Sequence, residues 1–245
     1  PSEIENEILG GGGESKNGEF SLTQLTKFFP KINLYTISQN CPFGEDIFPI
    51  FIDVLCSNKE ALPFSFEEGA VQMVKKILYE VPEDIFPFEN LLSLMWSSNY
   101  KSAYLSLYHC IECLYQPWNL RTLYQKLNTQ ISFNEFIQLM EENSYRKEDK
   151  ISISSLFSYV KDNQPTNHEQ CLEIVKEIKK APSLENVDEF IYKIRNEIVH
   201  LSFVSARKTK TSYSDSDWNE LITVLLGLLP YWYKEINSIL NSNKT

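Results

Sequence analysis

The residues of this chain with the greatest capacity for chemistry stand in one segment, Ile194-Arg195-Asn196-Glu197-Ile198-Val199-His200-Leu201. An imidazole with an ordinary pKa of about 6.5 can accept or donate a proton near neutral pH. A guanidinium carries a permanent charge and offers a planar fork of donors to an oxyanion, and an amide can orient either partner. Helix geometry decides what the three can share. At about 100° per residue, Asn196 and His200 differ by about 40° and stack, whereas Arg195 lies about 140° from His200. Only its long side chain lets Arg195 curl toward the same spot. On spacing alone, a surface arginine with a capped or hydrogen-bonded histidine is the favoured reading.

The helix that must carry these residues is strongly marked. Ser183, after Pro182, is a good N-cap, and Val187, Phe190, Ile191, Ile194, Ile198 and Leu201 form an apolar stripe at helical spacing. Arg195, Asn196 and His200 lie off that stripe, with Tyr192, Val199 and Phe203, on a second flank. A helix apolar on two sides needs two partners, so this flank is expected to pack on another helix or a second subunit. A polar triad there is a satisfied structural network or an active site. On an earlier helix, Glu112 is the only carboxylate between Glu89 and Glu135 and shares a face with Leu105, Tyr108 and Tyr115. A lone charge on an aromatic face wants a partner, and Arg195 or His200 would suit.

Further helices follow from the same periodicity. Ser65 and Glu68 make a capping box before Val71, Val74, Ile77 and Leu78; Phe88 to Tyr115 is helical with a bend or break near Ser97 to Asn99, and Pro117 ends it. Ser132 and Glu135 make a second capping box, helices cover Ile153–Val160 and Glu169–Lys180 with polar loop between, and Asp217 and Glu220 open a last helix to about Leu240. The expected fold is all-α, an antiparallel helical bundle over residues 84–245, with an irregular or α/β extension at 20–83 and a flexible acidic tail at 1–19. Alternation at Asn33 to Ile37 allows a short strand in the extension.

Composition narrows the function. A net charge of −10 excludes a general nucleic-acid coat protein, because non-specific affinity comes from Lys and Arg releasing counterions. Any such binding needs a local patch. Lys193, Arg195, Arg207, Lys208 and Lys210 against Glu197 supply about +4 between residues 191 and 212, although basic residues after Leu201 also suit a helix C-terminus. Five cysteines without regular spacing read as reduced thiols in a cytoplasmic compartment. The apolar stretch Leu221–Tyr233 falls short of the roughly 20 residues that span a bilayer, so no membrane partner is expected. The chain opens on Pro1, which allows a processed chain or a piece of something longer.

The segment Arg195-Asn196-Glu197-Ile198-Val199-His200 resembles the signature of the HEPN superfamily, all-helical domains with an R-x4-6-H motif late in the chain and one further helix after it. The resemblance covers roughly Glu83 to Leu240. It implies a metal-independent endoribonuclease without cofactor. His200 would move protons at the ribose 2′-OH and the leaving 5′-oxygen, and Arg195 would hold the phosphorane oxygens. Asn196 would orient the phosphate or the imidazole, and an acidic partner, here Glu112, is common. Lys193, Arg207, Lys208 and Lys210 would contact RNA. The resemblance further implies a homodimer with two motifs facing across one cleft, and a bacterial toxin or antiphage defence effector, with an antitoxin or other defence subunit as partner. The alternative is a catalytically inactive HEPN module serving dimerisation or RNA binding. Ser202 departs from the family, where toxins under nucleotidyltransferase control tend to carry Tyr, which puts adenylylation there in doubt.

Other candidates carry less. Cys110 and Cys113 form a C-x-x-C without the second pair that structural zinc needs, so no metal site is expected and both read as buried thiols. His168 falls in the expected polar loop. The run Gly10–Gly13 lacks the features of a phosphate loop and reads as a linker. Trp218, Tyr231, Trp232 and Tyr233 could stack on bases, but their Leu-rich setting favours a core or interface role.

Overall fold

The computed structural model describes residues 41–43, 46–63, 66–82, 84–127, 129–145, 147–180, 184–199 and 213–242. The acidic tail, the strand at 33–37, Ser65, Ser183 and residues 200–212, hence His200, Arg207, Lys208 and Lys210, lie outside them. Among the described residues every regular element is helical. In order these are α1 (Ile47–Ser57), a 3-10 turn (Lys59–Ala61), α2 (Glu68–Glu80), α3 (Phe88–Met95), α4 (Tyr100–Glu112) and α5 (Tyr115–Leu127). Then come α6 (Phe133–Glu142), α7 (Asp149–Asn163), α8 (Pro165–Lys179), α9 (Val187–Val199) and α10 (Asp215–Ser242).

The chain divides after Pro42, and all these helices belong to the unit Phe43–Thr245. The division expected near residue 83 does not fall there. Ala70, Val71, Val74, Ile77 and Leu78 bury a full stripe of α2, and that stripe packs on α10. Residues 47–80 are therefore part of the helical core. Burying five such side chains contributes on the order of 10 kcal/mol before entropy is counted.

Helix α10 is the central post. Its 28 residues contact α2, α4, α5, α6, α7 and α8, and Leu221, Ile222, Leu225, Leu226, Leu229 and Trp232 are almost wholly buried along it. Pro230 sits inside it and removes one helical N–H, at a cost this packing outweighs. The aromatic cluster takes its core role: Trp218, Trp232 and Tyr233 are buried. Two of them use their polar ends as tethers. The Trp232 indole N–H donates to the Leu156 carbonyl of α7 at 3.0 Å, and the Tyr233 hydroxyl donates to the Cys110 carbonyl of α4 at 2.7 Å.

Local signals are met in some places and outvoted in others. Asn99 caps α4 by accepting from the Ser102 N–H, which accounts for the break after Met95. Ser132 and Glu135 form the expected reciprocal box on α6. Helix α2, however, starts one residue after Glu67, which makes Glu68 its first residue rather than the third of a capping box. Pro117 does not end a helix. The chain turns at Cys113 and Leu114, and Pro117 is the third residue of α5, where the first-turn N–H groups have no helical acceptor. The polar loop expected between α7 and α8 is reduced to Gln164, because Pro165 starts α8 at its first position. His168 consequently lies in the first turn of α8, half-buried, and burial together with Lys161 pulls its pKa below the ordinary value.

The buried Asn219 of α10 satisfies the backbone N–H of Glu67, the N-cap residue of α2, whose own side chain makes no cap bond. Its Oδ1 accepts from the Glu67 N–H at 3.0 Å, and its Nδ2 donates to the Tyr100 hydroxyl and the Asp215 carbonyl. Asn219→Leu should strand the Glu67 N–H and lower stability by about 1–3 kcal/mol, read from urea denaturation.

Burial also sets a pH dependence. The Cys56 and Cys171 thiols are pushed up to about 12 from an ordinary 9.0, and the Tyr213 hydroxyl to about 12 from 10.0, in each case chiefly by burial. Folded values above unfolded ones mean the unfolded chain ionises first, so this stability is complete below about 9 and is lost as pH rises toward about 12. The urea midpoint should therefore hold up to about pH 9 and fall steadily above pH 10.

Candidate functional site

The site forms where α9 lies against α4. The fully buried Tyr104 hydroxyl donates to the Ile191 carbonyl at 2.7 Å, which fixes the register of α9 on α4. One helical turn beyond each of these residues come Tyr108 and Arg195, and the guanidinium carbon stands 5.8 Å from the Tyr108 ring centre. Another turn along α4, Glu112 is the last residue of that helix.

There Glu112 and Arg195 meet. Arg195 Nη2 donates to Glu112 Oε1 at 3.0 Å, and Nη1 donates to Asn196 Oδ1 at 3.0 Å. The two charged side chains are about three-quarters buried, at 26% and 21% exposure. Burial works against the Arg195 charge, but the Glu112 charge and hydrogen bond, aided by Tyr108 and Asp149, outweigh it and hold its pKa above the ordinary value. A carboxylate at a helix C-terminus opposes the macrodipole, so Glu112 depends on this cation. His109, one turn back and largely exposed, approaches its other oxygen at 3.9 Å.

Beneath the pair, the Tyr108 and Tyr115 hydroxyls share a hydrogen bond of 2.7 Å, and burial raises both pKa values well beyond the ordinary range. Tyr115 opens α5, whose next residue, Gln116, donates from Nε2 to the Tyr145 carbonyl at 2.9 Å. That bond draws in the turn between α6 and α7, in which Ser144 adopts φ 60°. Glu112 and Arg195 thus stand in the wall of an open cavity of about 530 Å³ lined also by Asn119, Glu141, Lys147 and Asp149.

Arg195, Asn196 and Glu112, picked from the sequence, are brought together. His200 lies outside the described residues. Lys193 is exposed and 3.7 Å from Glu197 one turn on, an ordinary surface pair. On the second flank of α9, Tyr192 is half-buried and Val199 is 47% exposed, while α4, α7 and α8 pack on the helix and bury Val187, Phe190, Ile191 and Ile194. Cys110 is buried but Cys113 is exposed, which corrects the expectation of two buried thiols: Cys113 lies in the turn that ends α4. Gln116, Asn119 and the α6–α7 turn are not marked in the sequence. Their polar side chains have no periodicity to single them out, whereas the face shared by Tyr108, Glu112 and Tyr115 is visible there.

Searches against protein-family models, curated proteins and solved structures find no match to this chain.

Removing one member of a mostly buried charged pair leaves the other unpaired. Arg195→Met should lower stability by about 1–3 kcal/mol, and the double variant with Glu112→Gln should show a coupling of about 1 kcal/mol in a urea-denaturation cycle.

Proposed function

We propose that this chain is a metal-independent endoribonuclease of HEPN type, with an antiparallel-bundle fold of that superfamily and Arg195, Asn196 and His200 as its motif. The observation that carries the proposal is the Glu112–Arg195 bond, which aims a guanidinium at an open cavity with Asn196 beside it. A guanidinium has five N–H donors. Among the described residues two are engaged, which leaves three for phosphate oxygens.

His200 follows Arg195 by five residues, and two copies of the motif facing across a homodimer would supply two imidazoles. One takes the proton from the ribose 2′-OH, whose oxygen attacks phosphorus. The bond from phosphorus to the 5′-oxygen breaks, and that oxygen takes a proton from the second imidazole. The products are a 2′,3′-cyclic phosphate and a 5′-OH end. Arg195 stabilises charge on the phosphorane, and Glu112 positions Arg195. Lys193, Arg207, Lys208 and Lys210 would contact the RNA backbone. The setting would be cytoplasmic, as a bacterial toxin or antiphage effector held by an antitoxin or another defence subunit.

One observation favours a second reading, an inactive module for dimerisation or RNA binding. Among the described residues the cavity wall carries Glu112, Glu141 and Asp149 against Lys147 and Arg195, a net negative set for a polyanion. The two readings separate on labelled total RNA with EDTA present. The unmutated chain should cut and leave 2′,3′-cyclic phosphate ends, while His200→Ala should lose at least about 100-fold in rate. Cleavage by both, or by neither, removes the catalytic assignment.

A further inference from the structure

Helix α1 is apolar on two sides, and the described structure covers one of them. Pro49, Ile52, Leu55 and Cys56 are buried where α1 packs on α2 and α3. Ile47, Ile50, Phe51 and Val54 repeat at i, i+3, i+4 and i+7, and at about 100° per residue they stand nearly opposite the buried stripe. Ile47 is 69% and Phe51 42% exposed, with Ile50 and Val54 half-buried. No residue of this outer stripe carries a charge, and Asp53, the one charged residue of α1, lies to one edge of it.

Aromatic rings extend the face on both flanks. Trp96, just past the end of α3, is 52% exposed with its ring 6.0 Å from that of Phe51. Tyr79 of α2 is 59% exposed, and its hydroxyl donates to Asp53 Oδ1 at 3.2 Å. With about 150–250 Å² for a whole aromatic side chain, the exposed parts of Ile47, Phe48, Phe51, Tyr79 and Trp96 come to roughly 500 Å². A standard protein–protein contact takes about 800 Å² from each partner, of which about 56–65% is apolar. The face therefore supplies the apolar share of one such contact. It stands away from the Glu112–Arg195 site: Asn90, near the start of α3, donates to Cys113 Sγ past the end of α4 at 3.9 Å, so Trp96 at the other end of α3 lies beside the start of α4.

We infer that this face binds a second copy of the chain, α1 against α1, in a two-fold contact. A two-fold lays one patch on itself, so the patch must match itself in size, apolarity and charge. The uncharged stripe does so, because no like charges meet at its centre, whereas a partner that brought a charge onto it would bury that charge unpaired. The contact is independent of the ribonuclease reading and does not cover Arg195.

Trp96 reports on this surface. Trp118, Trp218 and Trp232 are buried, so iodide quenching of tryptophan fluorescence reads chiefly Trp96. The full chain should self-associate at micromolar concentration in sedimentation velocity, and iodide quenching should fall about twofold or more as it does so. Ile47→Glu and Phe51→Glu place a charge on the outer stripe and leave the buried one intact. Each should halve the particle mass, weaken association at least about 100-fold and keep Trp96 open to iodide, with unchanged far-UV circular dichroism. A monomeric full chain would overturn the second copy, whether its Trp96 is open or already shielded by another cover. Self-association that leaves Trp96 quenching unchanged, as a contact through α9 would, or that survives both substitutions, would overturn it as well.

Discussion

The hydroxyl of Tyr104, buried and bonded to the Ile191 carbonyl, decides where everything of chemical interest stands. A helical carbonyl spends one lone pair on its own helix and keeps a second, so Ile191 can be held without breaking α9. The same device recurs twice: Tyr233 holds α4 by the Cys110 carbonyl, and Trp232 holds α7 by the Leu156 carbonyl. Aromatic donors on α10 therefore position α4 and α7, and α4 in turn positions α9. Apolar packing alone tolerates sliding by part of a turn. A buried donor left without its acceptor costs about 1–3 kcal/mol, and three such bonds remove that freedom.

Magnitudes separate the Glu112–Arg195 pair from the other ion pairs. Lys193–Glu197 and Lys150–Glu189 are exposed on both sides, where solvent screening leaves about 0–1 kcal/mol each. Glu112 and Arg195 have lost most of their water and retain short, charge-assisted hydrogen bonds. Their net contribution is limited by desolvation. Their geometric contribution is not, since either ion displaced into the protein alone would be strongly disfavoured. The pair therefore fixes a direction for the guanidinium more than it stabilises the fold.

Much of this is legible in the sequence because it depends on local rules. The Arg195 helix, the break before Tyr100 and the Ser132–Glu135 box each follow from period or capping. So does the need of Glu112 for a cation, since a carboxylate amid Tyr108 and Tyr115 cannot be left alone. The departures arise where a non-local contact overrides a local signal. Asn219, 152 positions from Glu67, accepts the N–H of the N-cap residue of α2, a contact no local signal encodes. Pro117 and Pro165 have the look of breaks, but each falls in a first turn, where the missing N–H has no helical acceptor. The segment 47–63 sets Pro49 and Pro63 around one short apolar run, and only its packing against α2 and α3 reveals it as core. The cavity has no signature at all. Its wall is assembled from the start of α5 and the α6–α7 turn, joined by the Gln116 bond to a backbone carbonyl that sequence spacing does not encode.

The net charge of −10 and the mixed lining of the cavity bear on the same question. An acidic protein repels a polyanion at long range, although at ordinary salt that repulsion is screened beyond about 10 Å. Within that distance local charges decide. Two unit charges at about 4 Å interact by roughly 4 kcal/mol at a near-surface effective dielectric of 20, and Glu112, 3.0 Å from Arg195, already draws on the guanidinium charge. Any oxyanion brought to Arg195 would meet Glu112 as well, so only the donors that Glu112 and Asn196 leave could hold it. An oxyanion bound in this cavity would therefore need partners besides Arg195, and Lys147 is a second cation of the described wall.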